Sequence, residues 1–407
     1  MKITNCPIIA HYYNVTNNDG IEFLNLGNIP LVNNLCDTRE KSLTCEKYPL
    51  AVQFFPKSKL ICLTELIDKD KLFTNYLYQS GVSKPYLNHC SDMYDYLSHI
   101  IDFKDNDLII DVGGNDGSLL KEFYKKNSNF KLINIDPSTT FILLNKKEGI
   151  EYICDYFGTG IKLLNKAKLI TSTNVFQHNI TMRPFVKDIY NNLDDEGVWC
   201  LEFPYSFITL VTDNYDQIYH EHVYYFCLQN IIDIAYQEGL KVINVSYHDI
   251  HAGTLRVLIV KKSSQKQSDI TVKSFINLEK SLTEEYCIEW GKNIINKIQK
   301  FKQFIIDLKS KGNKIACFGA AAKGCVFLNS CELDDTIIEF IIDDTPFKQN
   351  KFVPGTGIQI VNRETLKTTN IDYILILAHN FKDHIIESLK DQYKGKFIIM
   401  FPNIKII

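Results

Sequence analysis

The chain has 407 residues, 45% of them hydrophobic and 23% charged, with a formal net charge of -3. Those proportions belong to a globular protein of two or three domains and exclude a disordered tail, a collagen-like repeat and a disulfide miniprotein. Without a basic excess, bulk electrostatics advertises neither nucleic acid nor an anionic membrane as a partner.

In chain order, residues 1–80 are short mixed runs broken by turn signals at 17–20 and 27–30, the texture of a small irregular or β-rich lobe. The pattern then becomes strand, turn, helix. Residues 107–112 form an apolar strand, 113–117 a glycine turn and 118–126 a helix, and a second strand at 131–135 ends at Asp136. Further strands are expected at 169–173 and 198–203. A helical stretch at about 275–310 leads to a second unit: strand 314–318, turn 319–324, helix from 325, and strands 337–342, 373–377 and 397–401. This alternation predicts α/β architecture, with two doubly wound Rossmann-like units in tandem behind a small lobe. The divisions fall at 1–80, 81–262 and 263–407, with 263–269 the linker-like stretch.

Twelve cysteines are scattered with no C-x-x-C pair, and several lie in apolar runs, as buried thiols do. No signal peptide or membrane-length apolar stretch is visible, so a reduced cytoplasmic protein is expected.

Two segments carry chemistry. The turn Asp111-Val-Gly-Gly-Asn-Asp-Gly117 joins strand to helix, where glycine permits close approach of a ligand and the helix offers free N–H groups. It lacks G-x-G-x-x-G, and its acids would repel a pyrophosphate but suit a ligand with a cationic amino-acid end, such as S-adenosylmethionine. Asp136 is placed to accept from a ribose diol. The plainer alternative is a tight turn carrying surface acids. The second segment, Tyr219-His220-Glu221-His222, reads as metal ligands, as a histidine base with orienting partners, or as surface decoration. Metal is the weakest of these, because H-E-x-x-H is absent and i,i+2 side chains diverge on a helix.

Taken together with Leu26-Gly-Asn-Ile-Pro-Leu31, Leu72-Phe-Thr-Asn-Tyr-Leu-Tyr-Gln-Ser-Gly81, Asn174-Val-Phe-Gln-His178, Glu202-Phe-Pro-Tyr205, His251-Ala-Gly-Thr-Leu-Arg-Val257 and Gly319-Ala-Ala-Ala-Lys-Gly324, these segments give the chain its likeness. It resembles, nearly end to end, the S-adenosylmethionine-dependent sugar C-methyltransferases that act on C3 of nucleotide-linked 4-keto-hexoses. The resemblance implies a zinc-binding N-terminal lobe, a class I methyltransferase domain and a C-terminal Rossmann-like domain that helps hold the nucleotide sugar. It assigns Asp111, Gly113, Asn115, Asp116, Gly117, Asp136, Asn174 and His178 to the cofactor. His222 takes the place of the general base, with Glu221, Tyr219, Tyr76 and Tyr78 around the sugar. Lys323, Gly319 and Gly324 fall near the nucleotide diphosphate, although a surface lysine on a packed turn would look the same. A small-molecule nucleotide diphosphate sugar is the implied partner, to a monomer or homodimer, without nucleic acid or membrane.

One departure matters. Of the family's two C-x-x-C pairs only Cys6 survives; Ile9, Phe55 and Ser58 stand at the other positions. One thiol cannot close a tetrahedral site, so no zinc is expected there, and packing of Phe54, Phe55 and Leu60 is expected instead. The competing readings are an O- or N-methyltransferase, a silent nucleotide-sugar-binding protein and, more distantly, a dehydrogenase.

Overall fold

The computed structural model describes residues 1–9, 19–68, 71–72 and 79–407, so Tyr76 and Tyr78 lie outside the described residues. Three sheets organise the chain.

The first is an antiparallel meander of β1 (Ile21–Pro30), β2 (Lys47–Phe55) and β3 (Leu60–Leu63), completed by β9 (Tyr224–Tyr225) from far along the chain. The N-terminal lobe is therefore more regular than its broken sequence suggests, and it borrows a strand. Phe54, Phe55 and Leu60 are buried in it, as expected. At the former metal position, the Cys6 thiol and the Ser58 hydroxyl share a buried hydrogen bond of 3.0 Å. Among the described residues, no group of three or more His, Cys, Asp or Glu is arranged to hold a metal.

The second sheet has seven strands in the order β10-β11-β8-β7-β4-β5-β6. They are β4 (Leu108–Val112), β5 (Lys131–Ile135), β6 (Glu151–Ile153), β7 (Ala167–Thr173), β8 (Leu193–Pro204), β10 (Leu240–His248) and β11 (Thr254–Lys261). Strands β4 to β8 run parallel, with neighbours added outward on both sides of β4, whereas β11 is antiparallel to both β8 and β10. The fully parallel sheet expected from sequence is thus closed on one side by a hairpin. Every residue of β11 is buried, as its place between two strands demands.

The third sheet, β14-β13-β12-β15-β16-β17, has β12 (Ile315–Phe318) flanked by β13 (Ile338–Ile342) and β15 (Tyr373–Ile376), with β14 (Ile360–Val361) and β16 (Lys396–Ile399) outside them. Only β17 (Lys405–Ile406) runs antiparallel. Both larger sheets are therefore doubly wound about their first strand, and the α/β class holds for each.

Residues 263–269, composed like a linker, are tied down. Ser264 receives Lys241 Nζ on its carbonyl and donates to Glu196, and the Asp269 N–H reaches Ile243 O at 2.7 Å. The expected long helix is two helices, Ile270–Leu278 and Glu284–Ser310. Thr283 caps the second by accepting from the Tyr286 N–H, and Glu284 and Glu285 occupy its first turn. A Cβ at Gly291 would stand 1.7 Å from Phe23 O, so the absent side chain lets β1 lie directly on this helix. Trp290 Nε1 donates to Leu210 O at 2.8 Å, so the same helix also grips the middle domain. No helix among the described residues is long and apolar enough to cross a membrane.

Candidate active site

The cofactor turn leaves β4 at Val112 and enters helix Ser118–Lys126. Gly113, Asn115 and Gly117 adopt left-handed φ values of 67°, 53° and 76°. A Cβ on Gly113 would come 2.3 Å from the Val175 side chain, so glycine allows the segment after β7 to pack on the turn. Asp116, just before the N-cap Gly117, accepts from the Ser118 hydroxyl at 2.6 Å and N–H at 3.2 Å. Its other oxygen accepts from Gly81 N–H at 2.9 Å, while Asn115 Oδ1 accepts from Ser80 N–H at 3.2 Å. Residues 80–81 thus roof the turn.

Asp136 lies just past β5, its carboxylate accepting from the N–H groups of Asn115 (3.0 Å) and Ser138 (2.8 Å) and from Tyr152 OH (3.4 Å). Burial pushes its carboxyl up, and the N–H donors oppose this. Asp111 sits beneath the turn rather than on it, 1% exposed and accepting from Thr171 Oγ1 at 2.7 Å. Burial raises it to about 7. The structure therefore makes Asp111 a support that ties β4 to β7. Asn134 and Asn145 also converge on Asn115 O, at 3.0 and 3.2 Å. Asn134 is the polar residue within the buried run Leu132–Ile135, and that signal could have marked it.

The donor set suits S-adenosylmethionine. The left-handed turn opens a helix N-terminus, and Asp136 keeps lone pairs for a ribose diol. Asp111 and Asp116 are engaged within the protein, on Thr171 and on Ser118 and Gly81, so the expected pairing of these two acids with a cationic ligand is not seen.

Asn174, also left-handed (φ 56°), and the turn Phe176–His178 carry the chain from this site to the histidines. His178 is half-buried and pushed down to about 4 by desolvation, and its ring stands 5.0 Å from that of His222, nearly perpendicular to it.

Between the turn Tyr215–Gln217 and β9, the Tyr-His-Glu-His segment divides its side chains among three directions. His222 is 4% exposed; Gln217 O lies 3.1 Å from its Nδ1 and Tyr219 OH lies 2.7 Å from its Nε2. A carbonyl can only accept, so Nδ1 carries the proton and Nε2 the lone pair. Burial, then the charges of His178, Lys323 and His251, hold His222 well below the ordinary histidine range, so it is a neutral base at pH 7. Glu221 is buried against the N-terminal lobe, where Asn33 Nδ2 donates to it at 2.6 Å, and burial raises it to about 7. His220 points away, toward Pro49 O at 3.2 Å. The two rings thus point to different partners, although the segment is a turn and not a helix.

The C-terminal turn repeats the cofactor turn in its hydrogen bonding. Gly319 N–H donates to Ile342 O at 2.8 Å as Gly113 N–H does to Ile135 O at 2.7 Å. Asp343, just past β13, accepts from Ala320 N–H (2.8 Å) and Thr345 N–H (2.9 Å), as Asp136 accepts from Asn115 and Ser138. A Cβ at Gly324 would come 2.9 Å from Leu377, so glycine is needed where the helix Ala322–Ser330 crosses the strand β15 leaves. Lys323, in the first turn of that helix, has a solvent-shielded Nζ without a hydrogen-bond partner. The helix packs on the turn Tyr215–Gln217, Tyr215 OH meeting Ser330 Oγ at 3.1 Å, and the same turn holds His222 through Gln217 O. Sequence reasoning missed Asn33, Gln217 and Asp216, which hold these groups and carry no motif of their own.

Residues 249–402 match the model of the C-methyltransferase C-terminal domain. The whole chain is 25% identical, over 415 aligned positions and 97% of the relative's length, to the C-methyltransferase NovU of Streptomyces niveus. Among solved structures, the plantazolicin methyltransferase BpumL in complex with S-adenosylhomocysteine is 13% identical, covering 48% of this chain and 91% of its own with a TM-score of 0.38. An S-adenosylmethionine-dependent methyltransferase of Clostridium acetobutylicum is 12% identical, covering 49% and 96% with a TM-score of 0.35. With a full-length C-methyltransferase relative and a match to the C-methyltransferase C-terminal domain, the chain is an S-adenosylmethionine-dependent methyltransferase.

Proposed function

We propose that the methyl group goes to a carbon, C3, next to the ketone of a nucleotide-linked 4-keto-deoxysugar, with His222 as the base. The observation that carries this reading is the buried, neutral His222 ring, its Nε2 lone pair facing a phenol between the cofactor turn and Lys323. A carbon acid needs such a base, and it needs a carbonyl to take up the charge; hydroxyl and amine acceptors need much less help. S-adenosylmethionine, held by Gly113–Gly117 and Asp136 with Asn174 and His178 alongside, supplies an electrophilic methyl group. His222 Nε2 removes the proton α to the ketone, and the electron pair moves onto the carbonyl oxygen as an enolate. Tyr219 OH, released from Nε2, turns its proton toward that oxygen. Tyr76 and Tyr78 remain assigned to the sugar by resemblance alone. The repeated hydrogen-bond pattern around Asp343 favours a nucleotide on the C-terminal unit, with Lys323, Gly319 and Gly324 facing the acceptor.

The test is to incubate the enzyme with cofactor and a panel of nucleotide-linked 4-keto-6-deoxyhexoses that carry deuterium at C3. Expected are a methylated product and complete loss of the C3 label to solvent. Methylation that keeps the C3 label, or that falls on a hydroxyl, would overturn the reading.

Glu221 is placed to work as a carboxylate, so kcat/KM should climb through its acid limb at about pH 7. Asn33 lowers that limb by donating to the ionised form. Replacing Asn33 with Ala is expected to move the limb to higher pH, and Glu221→Gln to abolish it; a pH–rate profile reads both.

A further inference from the structure

Buried polar atoms without partners mark places where a ligand completes the hydrogen bonding. Two of them lie on elements that pack on one another, the helix Ala322–Ser330 and the turn Tyr215–Gln217, where Tyr215 OH meets Ser330 Oγ at 3.1 Å. Lys323 Nζ, at the start of helix Ala322–Ser330, is shielded from solvent and makes no hydrogen bond. Asp216 is 1% exposed; His379 Nε2 holds its Oδ2 at 3.0 Å, while its Oδ1 is buried and unpartnered. Asp216 is the carboxylate whose charge supports the Lys323 ammonium against burial. His379, following β15, fixes the Asp216 rotamer, and the loops after β12 and β15 border the crevice where the strand order of this sheet reverses, the usual place for a ligand.

We propose that Lys323 and Asp216 form a hydroxyl-recognition pair, a ring hydroxyl of the acceptor inserting between them to accept from Nζ and donate to Oδ1. The proposal rests on the reading of the acceptor as a sugar, and it changes what Lys323 is for. A diphosphate brought to this lysine would also meet the buried Asp216 carboxylate and be repelled. A hydroxyl is uncharged and is donor and acceptor at once, which matches one unpartnered donor beside one unpartnered acceptor. Because Asp216 adjoins Gln217, whose carbonyl lies 3.1 Å from His222 Nδ1, the hydroxyl so held lies on the side of the ring nearest the base. The pair would therefore set which carbon is presented.

The experiment measures Kd by titration calorimetry for thymidine diphosphate 4-keto-6-deoxyglucose and for its 2-deoxy and 3-deoxy counterparts. In the wild-type enzyme one counterpart is expected to bind about 10- to 100-fold more weakly, the size of a charge-assisted hydrogen bond. In Lys323→Met and in Asp216→Asn, which keeps an acceptor for His379, that discrimination should vanish, with cofactor Kd unchanged as the folding control. Variants that discriminate as the wild type does would overturn the proposal. So would a wild-type enzyme that binds all three alike, which would leave the sugar reading standing and fill the gap with water. A wild-type enzyme that binds none of them would overturn both.

Discussion

Replacing His222 with Asn should lower kcat for methyl transfer by about a hundred- to ten-thousand-fold while leaving the cofactor Kd nearly unchanged. The asymmetry comes from where the hydrogen bonds run. The cofactor turn is held by Asp116 on Ser118, by Asp136 on Asn115 and by Asn134 and Asn145 on Asn115 O, none of which passes through His222. His222 in turn owes its tautomer to Gln217 O and its neutrality to burial. An asparagine could still meet Gln217 O, but it offers no basic lone pair where Nε2 stood. Single-turnover rates beside calorimetric cofactor binding would check both halves, and a variant with wild-type rate would remove His222 from the chemistry.

A second large effect is expected in stability. Glu202 on β8 and Arg256 on β11 are each 1% exposed, with Arg256 Nε donating to Glu202 at 2.7 Å and His89 Nε2 at 2.9 Å from the same carboxylate. The Tyr96 ring lies 5.3 Å from the guanidinium. Arg256→Met should cost about 3–5 kcal/mol, because it strands a buried carboxylate. The pair Glu202→Gln with Arg256→Met should recover much of that loss. Acid adds a signature. Burial pushes Glu202 up, yet the Arg256 charge and His89 overcome it and hold the carboxyl at about 2, below its ordinary 4.5. A lowered carboxyl contributes stability that is full above its unfolded value and fades as pH falls through the folded one. The wild-type protein should therefore lose stability between about pH 4.5 and 2. In Arg256→Met, where burial is no longer opposed by the guanidinium, protonation should relieve the stranded charge, and the loss should shrink or reverse. Urea titrations at stepped pH would measure it. Since Glu202 O receives the Asn174 N–H at 2.9 Å, this network also underlies the segment between cofactor and base.

Much of this was legible from residues whose reason is local. The run Asp-Leu-Ile-Ile-Asp-Val followed by glycines has no good alternative to a buried strand and tight turn, and the same holds for the apolar run before Gly319. What was not legible depends on partners distant in the chain. His220 and His222 are equivalent as letters; only the pairing of β9 with β3 turns one toward Pro49 and leaves the other under Gln217. Asp111 reads like a ligand because acids in turns are usually exposed, and the fold instead sinks it against Thr171. The hairpin β10–β11 was missed because a strand buried on both faces loses the alternation that marks an edge. Lys323 announced itself after a glycine turn, but Asp216, which defines its chemistry, sits in another domain.

The borrowed strand β9 also constrains how the molecule comes into being. The sheet of the N-terminal lobe cannot be finished when that lobe leaves the ribosome, because its last strand has yet to be synthesised, along with most of the following domain. Until then the exposed edge of β3 has only water or the wrong neighbour to pair with, a window for misassembly in a growing chain. Closing that edge fixes the chain immediately after His222, so completion of the first-made lobe and placement of the proposed base are one event, past the midpoint of the chain.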